Sequence, residues 1–257
     1  MARRYSWFYL LVILCMAQSA SAFAQEGDCP SVTDSIVTVV NADGSRLQLR
    51  FHCEAKDANQ DSDTQDSVAA DVAYAAPYAD AAAFEQRLTL GADPLGDPLH
   101  GIYFADIDGD GTYEVVTSGS CGAGPNCWHE IYRLQPSSGV LELLLSDGYS
   151  ELIYHDGYLV IAGRASCCSW EYHAWHMNER PLPLTDSNMD LMIFVAASTE
   201  DEAIEDDAAI SPRCTFTQRQ EEETWQVIAP PGPDWLSFCE IYGSDYHVVT
   251  PSEAPSA

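Results

Sequence analysis

Between Tyr103 and Val116 the chain reads YFADIDGDGTYEVV. Asp106, Asp108 and Asp110 stand at alternate positions, Gly111 follows them, and Glu114 comes shortly after. In the D-x-D-x-D-G pattern alternate side-chain oxygens converge on one point, while glycine permits the sharp turn back. Counted as a calcium loop, the aspartates take positions one, three and five, Thr112 offers its backbone carbonyl at seven, and Glu114 takes nine. Hard oxygen donors without sulfur or imidazole select Ca2+, with Mg2+ a weaker fit. Without a cation the same carboxylates repel one another, which loosens the loop or shifts their pKa values. The twelfth position is Thr117 rather than the bidentate glutamate of an EF-hand, and the flanks GIYFA and YEVV are strand-like. With no helix pair to open, the ion is read as a brace pinning two strands.

The elements that must position this loop read as β-structure. Residues 29–53 alternate as a hairpin around NADG: Ile36, Thr38 and Val40 against Val37 and Val39, then Leu47, Leu49 and Phe51 on the return. Residues 54–83 turn to Ala, Asp, Gln and Ser, too poor in large apolar groups to repay ordering. They read as an acidic linker, with a weak Ala-rich helix as the alternative near 67–83. From 84 to 199 short alternating runs follow one another: EQRLTL, GIYFA, YEVVTSG, HEIYRL, VLELLL, ELIYH, YLVIAG, EYHAWHM and LMIFVA. Asp156-Gly157 between two of them is a two-residue hairpin signal. This pattern predicts an all-β fold, an antiparallel β-sandwich or open barrel carrying a strand-flanked calcium loop and disulfides. Residues 200–257 are expected to be an acidic loop and a C-terminal disulfide-bounded segment, in which PPGP forbids a continuous strand.

The first 24 residues read as a signal peptide: Arg3 and Arg4, the apolar run WFYLLVILCMA, then small residues. The run is shorter than the roughly 20 apolar residues of a membrane span, so no transmembrane segment is expected in the mature chain. Leu14 is too bulky for Cys15 to open a lipoprotein signal. Removing Cys15 leaves Cys29, Cys53, Cys121, Cys127, Cys167, Cys168, Cys214 and Cys239, an even set in an exported, oxidising setting. No C-x-x-C pair occurs, which weighs against zinc thiolates. Proximity favours Cys29–Cys53 and Cys214–Cys239, leaving Cys121 and Cys127 to meet Cys167 and Cys168.

The net charge is −29, and losing Arg3 and Arg4 with no acid makes it −31; Lys56 is the single lysine. Nucleic acid is excluded as a partner, since phosphate binding needs a basic surface. Such acidity either keeps the surface hydrated or steers the chain toward a cationic partner. Catalytic readings are weak. No G-x-S-x-G, H-E-x-x-H or phosphate loop occurs. His129, His155, His173 and His176 fall at strand positions and read as incidental, and no two of the 40 carboxylates stand out as a hydrolytic pair. The expectation is that the protein is not an enzyme.

DIDGDGTYEVV on strands also looks like a calcium loop of an FG-GAP propeller blade, but a propeller needs several such blades and one is present. From Tyr103 to Leu184 the order is an aspartate loop, YEVVTSGSCGAG, IYRLQPSSGVLELL and YLVIAGRASCCSWEYHAWHMNERPLPL. It resembles the single-copy calcium-loop β-proteins of the bacterial periplasm. These are similar to periplasmic lysozyme inhibitors, and one branch acts as immunity proteins against type IV-secreted cell-wall hydrolases. In the inhibitors a late loop enters the hydrolase cleft with a tyrosine at its tip. By position that loop is Arg164–His173 here, which makes Ser169, Trp170 and Tyr172 the candidate partner-binding residues. The resemblance implies an exported, periplasmic or secreted, calcium-stabilised inhibitor or immunity protein for a basic, lysozyme-like cell-wall hydrolase. The alternative is a structural or adhesive cell-envelope module that uses the calcium only as a brace.

Overall fold

A computed structural model describes residues 36–54, 67–80, 83–89, 101–122, 124–135, 139–178, 182–197, 211–220 and 224–253. The signal peptide and the expected Cys29–Cys53 bridge lie outside what is described. The described residues are mostly strand and form three sheets, none closed into a barrel. The sandwich reading holds.

The first sheet contains β1 (Ile36–Val40), β2 (Arg46–Glu54), β3 (Ser67–Ala75) and β4 (Ala83–Thr89) in that order. The second contains β5 (Ile102–Ala105), β6 (Glu114–Cys121), β7 (Cys127–Gln135) and β8 (Val140–Tyr149), again in chain order. The third runs β14 (Trp225–Ile228), β13 (Arg213–Arg219), β12 (Leu191–Ala196), β11 (Ser169–His176), β10 (Tyr158–Ser166) and β9 (Glu151–His155). β15 (His247–Val248) adds to β13, and theirs is a parallel pairing. At the β9–β10 turn Asp156 and Gly157 both take positive φ, at 49° and 81°, as a type I′ hairpin demands.

Alternation along the strands builds the layers. In β6 the neighbours Val115 and Val116 are both buried but point opposite ways, because successive side chains leave opposite faces of a sheet. Val115 joins Leu47, Leu49, Val72, Leu134 and Leu141 in a core against the first sheet. Val116 joins Ile131, Leu144, Leu159, Ile161 and Trp175 in a core against the third. The second sheet is therefore a middle layer. On the far face of the third sheet, Tyr172, Ala174, Ile193 and Phe216 pack under Trp235 and Phe238. Those two belong to a 3-10 segment, Pro233–Tyr242, that follows the PPGP break.

The linker reading of 54–83 is corrected in its second half. Residues 67–75 pair along β2 from Glu54↔Ser67 to Arg46↔Ala75. Ala69, Ala70, Ala73 and Ala75 are all buried. Alanines carry little apolar surface in a compositional count, yet their small size lets a strand lie close against its neighbour.

Two cysteine expectations divide. Cys214 on β13 bonds Cys239 in the 3-10 segment, as expected, and both are fully buried. Cys121 bonds Cys127 rather than either later cysteine. The two are direct register partners across the β6–β7 hairpin, so the turn itself brings them together. Cys167 and Cys168 remain thiols at the β10–β11 tip. The Cys214–Cys239 bond ties the 3-10 segment over the third sheet. Replacing both cysteines by alanine should cost about 2–4 kcal/mol in urea unfolding. Tryptophan fluorescence of Trp235 should shift red before the global transition, and a single unshifted transition would refute a tethering role.

Candidate functional site

The aspartate loop lies at the seam between the first two sheets. Three short side-chain-to-backbone bonds shape it. Gly111 N–H donates to Asp106 Oδ2 at 3.2 Å, Asp110 N–H to Asp108 Oδ1 at 3.3 Å, and Thr112 N–H to Asp110 Oδ1 at 2.6 Å. These bonds turn the three carboxylates inward, and one oxygen from each lies within 4.8 Å of the others. Oxygens so gathered can hold a metal ion.

The first sheet grips the same loop. Asn41, buried in the β1–β2 turn, accepts from Tyr113 N–H at 3.0 Å, and Ala42 N–H donates to Gly111 carbonyl at 2.8 Å. Gly111 has φ +84°, and a Cβ there would stand 2.6 Å from that of Ala42. Only glycine satisfies both the backbone and the close approach.

Glu114 departs from the ligand role that the spacing suggested. It is fully buried, with Oε1 taken by Arg133 Nε at 2.8 Å and Oε2 by Ile107 N–H at 3.1 Å. Arg133, on β7, reaches Asp108 Oδ2 with its other arm at 2.7 Å. One guanidinium thus bridges the loop to the buried acid. Burial pushes the Glu114 carboxyl up to about 7, Arg133 and the Ile107 amide pulling against the rise and Asp108 adding to it. Thr112 stays half-buried beside the aspartates. Arg133 lies beyond the motif and was missed in sequence; no spacing rule links a strand arginine to a loop so far upstream.

The 164–173 segment is the end of β10, a two-residue tip and the start of β11. Tyr172 is 5% exposed and packs edge-on against Phe238, so it supports the strand from within and cannot lead into a partner. Burial raises its hydroxyl pKa to about 12, with Glu151 and Tyr242 adding to the rise. Ser169 is buried too, its hydroxyl 2.6 Å from that of Ser166. Trp170 is half-buried against the same core. The residues that are exposed are Arg164, Ala165, Ser166 and Cys167. Arg164 closes the tip by donating to the carbonyls of Ser166 at 3.0 Å and Cys167 at 2.5 Å. Asn126, inside the Cys121–Cys127 loop, clamps the Arg164 backbone, accepting its N–H at 2.9 Å and donating to its carbonyl at 3.2 Å.

The four histidines are dispersed. His129 stacks on Tyr149, His155 sits edge-on to Trp235 and Phe238, and His176 meets Tyr158. His173 faces elsewhere, toward Asp147 and Asp186. Neither of these aspartates stood out in sequence.

No protein-family model matches the chain, and no curated protein matches it. A solved structure described as that of a Xanthomonas type IV secretion system related protein is similar at a TM-score of 0.45 and 12% identity. The match covers 76% of this chain and 94% of that one. At that distance the likeness bears on neither activity nor partner.

The Arg133 bridge gives a direct test. Arg133→Met strands Glu114 as an uncompensated buried acid and should cost about 3–5 kcal/mol in urea unfolding. Adding Glu114→Gln should recover part of that loss, because the amide carries no charge to desolvate. Equal stability of the single and double variants would contradict the bridge.

Proposed function

We propose that the protein is an exported, calcium-braced inhibitor or immunity protein for a lysozyme-like cell-wall hydrolase, acting through the β10–β11 hairpin tip. The observation that carries this reading is how the tip is held. Asn126 fixes its backbone from the neighbouring hairpin and the Arg164 guanidinium closes the turn. A tip ordered before it meets its partner loses little entropy on docking, which is what a cleft-inserting loop requires. Two carbonyls occupy only part of Arg164's five N–H donors. The remainder suits the carboxylates with which glycan hydrolases work. Tyr172 becomes a support in this reading, and Arg164, Cys167 and the half-exposed Trp170 form the contact.

The aspartate loop holds Ca2+ as a brace. Its carboxylates are turned together by backbone donors, and the loop joins β5–β6 to Asn41 of the first sheet. The chain's net charge of −29 favours fast encounter with a basic enzyme at low salt. Export agrees with the Cys121–Cys127 and Cys214–Cys239 disulfides.

Calcium at a hundredfold excess over Kd should add about 2.7 kcal/mol, or roughly 5–10 °C in Tm for a chain of this size. Asp106→Asn with Asp110→Asn should abolish that gain and leave the Tm in chelator nearly unchanged. A calcorimetric titration of the mature protein without heat of binding would remove the brace.

Inhibition is tested by muramidase assays against a panel of basic hydrolases. The wild type should inhibit at least one. Arg164→Ala with Trp170→Ala should weaken that complex by about 2–4 kcal/mol, mostly through a faster off-rate. No inhibition across the panel, or an unweakened double variant, would leave the structural envelope module in its place.

A further inference from the structure

His173, read from sequence as an incidental strand histidine, sits in a second seam, between the middle and third sheets. β11 residues alternate, so His173 and Trp175 face the middle layer while Tyr172 and Ala174 face the C-terminal cap. Across from His173, near the end of β8, is Asp147. The connection after β11 returns along β8, with Leu184 N–H donating to the Leu144 carbonyl at 2.7 Å, and brings Asp186 to the same place. Asp186 is not loosely positioned. The Trp175 indole donates to the Thr185 carbonyl at 2.9 Å, and Arg219 Nη1 donates to the Asp186 carbonyl at 2.8 Å.

A ring nitrogen of His173 and one oxygen from each aspartate lie within 4.8 Å of one another. The decisive detail is His173 Nδ1. It is shut off from solvent and has no hydrogen-bond partner. Asp186 Oδ1 is 3.8 Å away, too long for a hydrogen bond. On the other side of the ring, Nε2 stands 3.5 Å from Glu171 Oε2. Each side of the ring thus faces a carboxylate, and the tautomer with its proton on Nε2 leaves the buried Nδ1 as a lone pair on the side of Asp186. In that tautomer the Nδ1 lone pair and the two aspartates form a donor set that a cation satisfies. Asp147 Oδ1 already takes the Gly148 N–H at 2.6 Å, which fixes that carboxylate. The Asp186 side chain, 80% exposed, is free to turn inward.

We infer that Asp147, His173 and Asp186 form a binding site for a divalent transition cation of the zinc class. One imidazole and two carboxylates suit zinc better than calcium, which takes oxygen alone. At zinc–ligand distances of about 2.0–2.2 Å the ligands come within roughly 3.5 Å of each other. A modest rotation of Asp186 therefore closes the site. The ion would join β8, β11 and the 182–190 connection, and it stands independently of the hydrolase reading and of the aspartate loop.

The test uses the exported chain, stripped with chelator, thiol-blocked to silence Cys167 and Cys168, and saturated with calcium. Zinc chloride is titrated by calorimetry, and Co2+ is used as a visible-absorption probe. The wild type should take up a zinc equivalent that His173→Gln and Asp186→Asn both lose. Glu171→Gln should weaken it by about tenfold or more, as loss of an orienting carboxylate does. Asp106→Asn should leave it unchanged. Asp186 is exposed enough that its asparagine variant keeps the fold, which circular dichroism checks, so that variant decides the matter if His173→Gln unfolds. No zinc uptake by the wild type, or full uptake by Asp186→Asn, overturns the site.

Discussion

A carboxylate fully removed from water sits at the start of the middle sheet, and much of the structure follows from keeping Glu114 compensated. An isolated buried carboxylate is costly enough to protonate or to unfold its surroundings. Here Arg133 reaches it from β7 and the Ile107 amide from the loop. Meeting Glu114 and Asp108 together commits the guanidinium to one position. That fixes the register in which the aspartate loop lies over β7, and through Asn41 it fixes where the first sheet meets the second. A pair of this kind is weak evidence for stability, because desolvation offsets the attraction. Its consequence is specificity of arrangement.

Much of the fold could be read from the chain. Short runs with a period of two marked nine strands between 84 and 199, because alternation is a local signal that each run carries by itself. What alternation did not show is that β6 is buried on both faces, and hence that three layers stack rather than two. β3 was lost for a related reason. Its alanines pack as a core strand does, yet they carry a linker's composition.

The candidate sites divide along the same line. Asp106, Asp108 and Asp110 were legible because a loop motif is local: spacing and glycine position determine which oxygens converge. Glu114 fits the spacing but turns inward, since the first residue of a doubly buried strand follows the sheet rather than the loop. Arg133, Asp147 and Asp186 come from other elements, and tertiary packing alone brings them near their partners. The resemblance puts Tyr172 in the partner loop, 164–173, by position. The two-residue turn at Cys167–Cys168 instead ends before Ser169, which puts Tyr172 well into β11 and beneath Phe238.

The two candidate cation sites share a cause. The chain carries 40 acidic residues against 11 basic ones, so guanidinium groups are scarce where sheets come together. At the first seam Arg133 serves Glu114 and Asp108 at once, and the carboxylates of Asp106 and Asp110 converge on Asp108 from the other side. At the second seam two aspartates and His173 face one another, and Arg219 donates to the Asp186 carbonyl. A metal ion concentrates two positive charges where a lysine brings one, and it orders several ligands without a long side chain to immobilise. For a strongly acidic chain in three layers, bound cations are an economical means of closing seams that a more balanced protein closes with arginine and lysine. On this view the surface acidity and the two candidate cation sites have one origin: the same excess of carboxylates that keeps the outside hydrated leaves few basic side chains to meet those gathered at the seams.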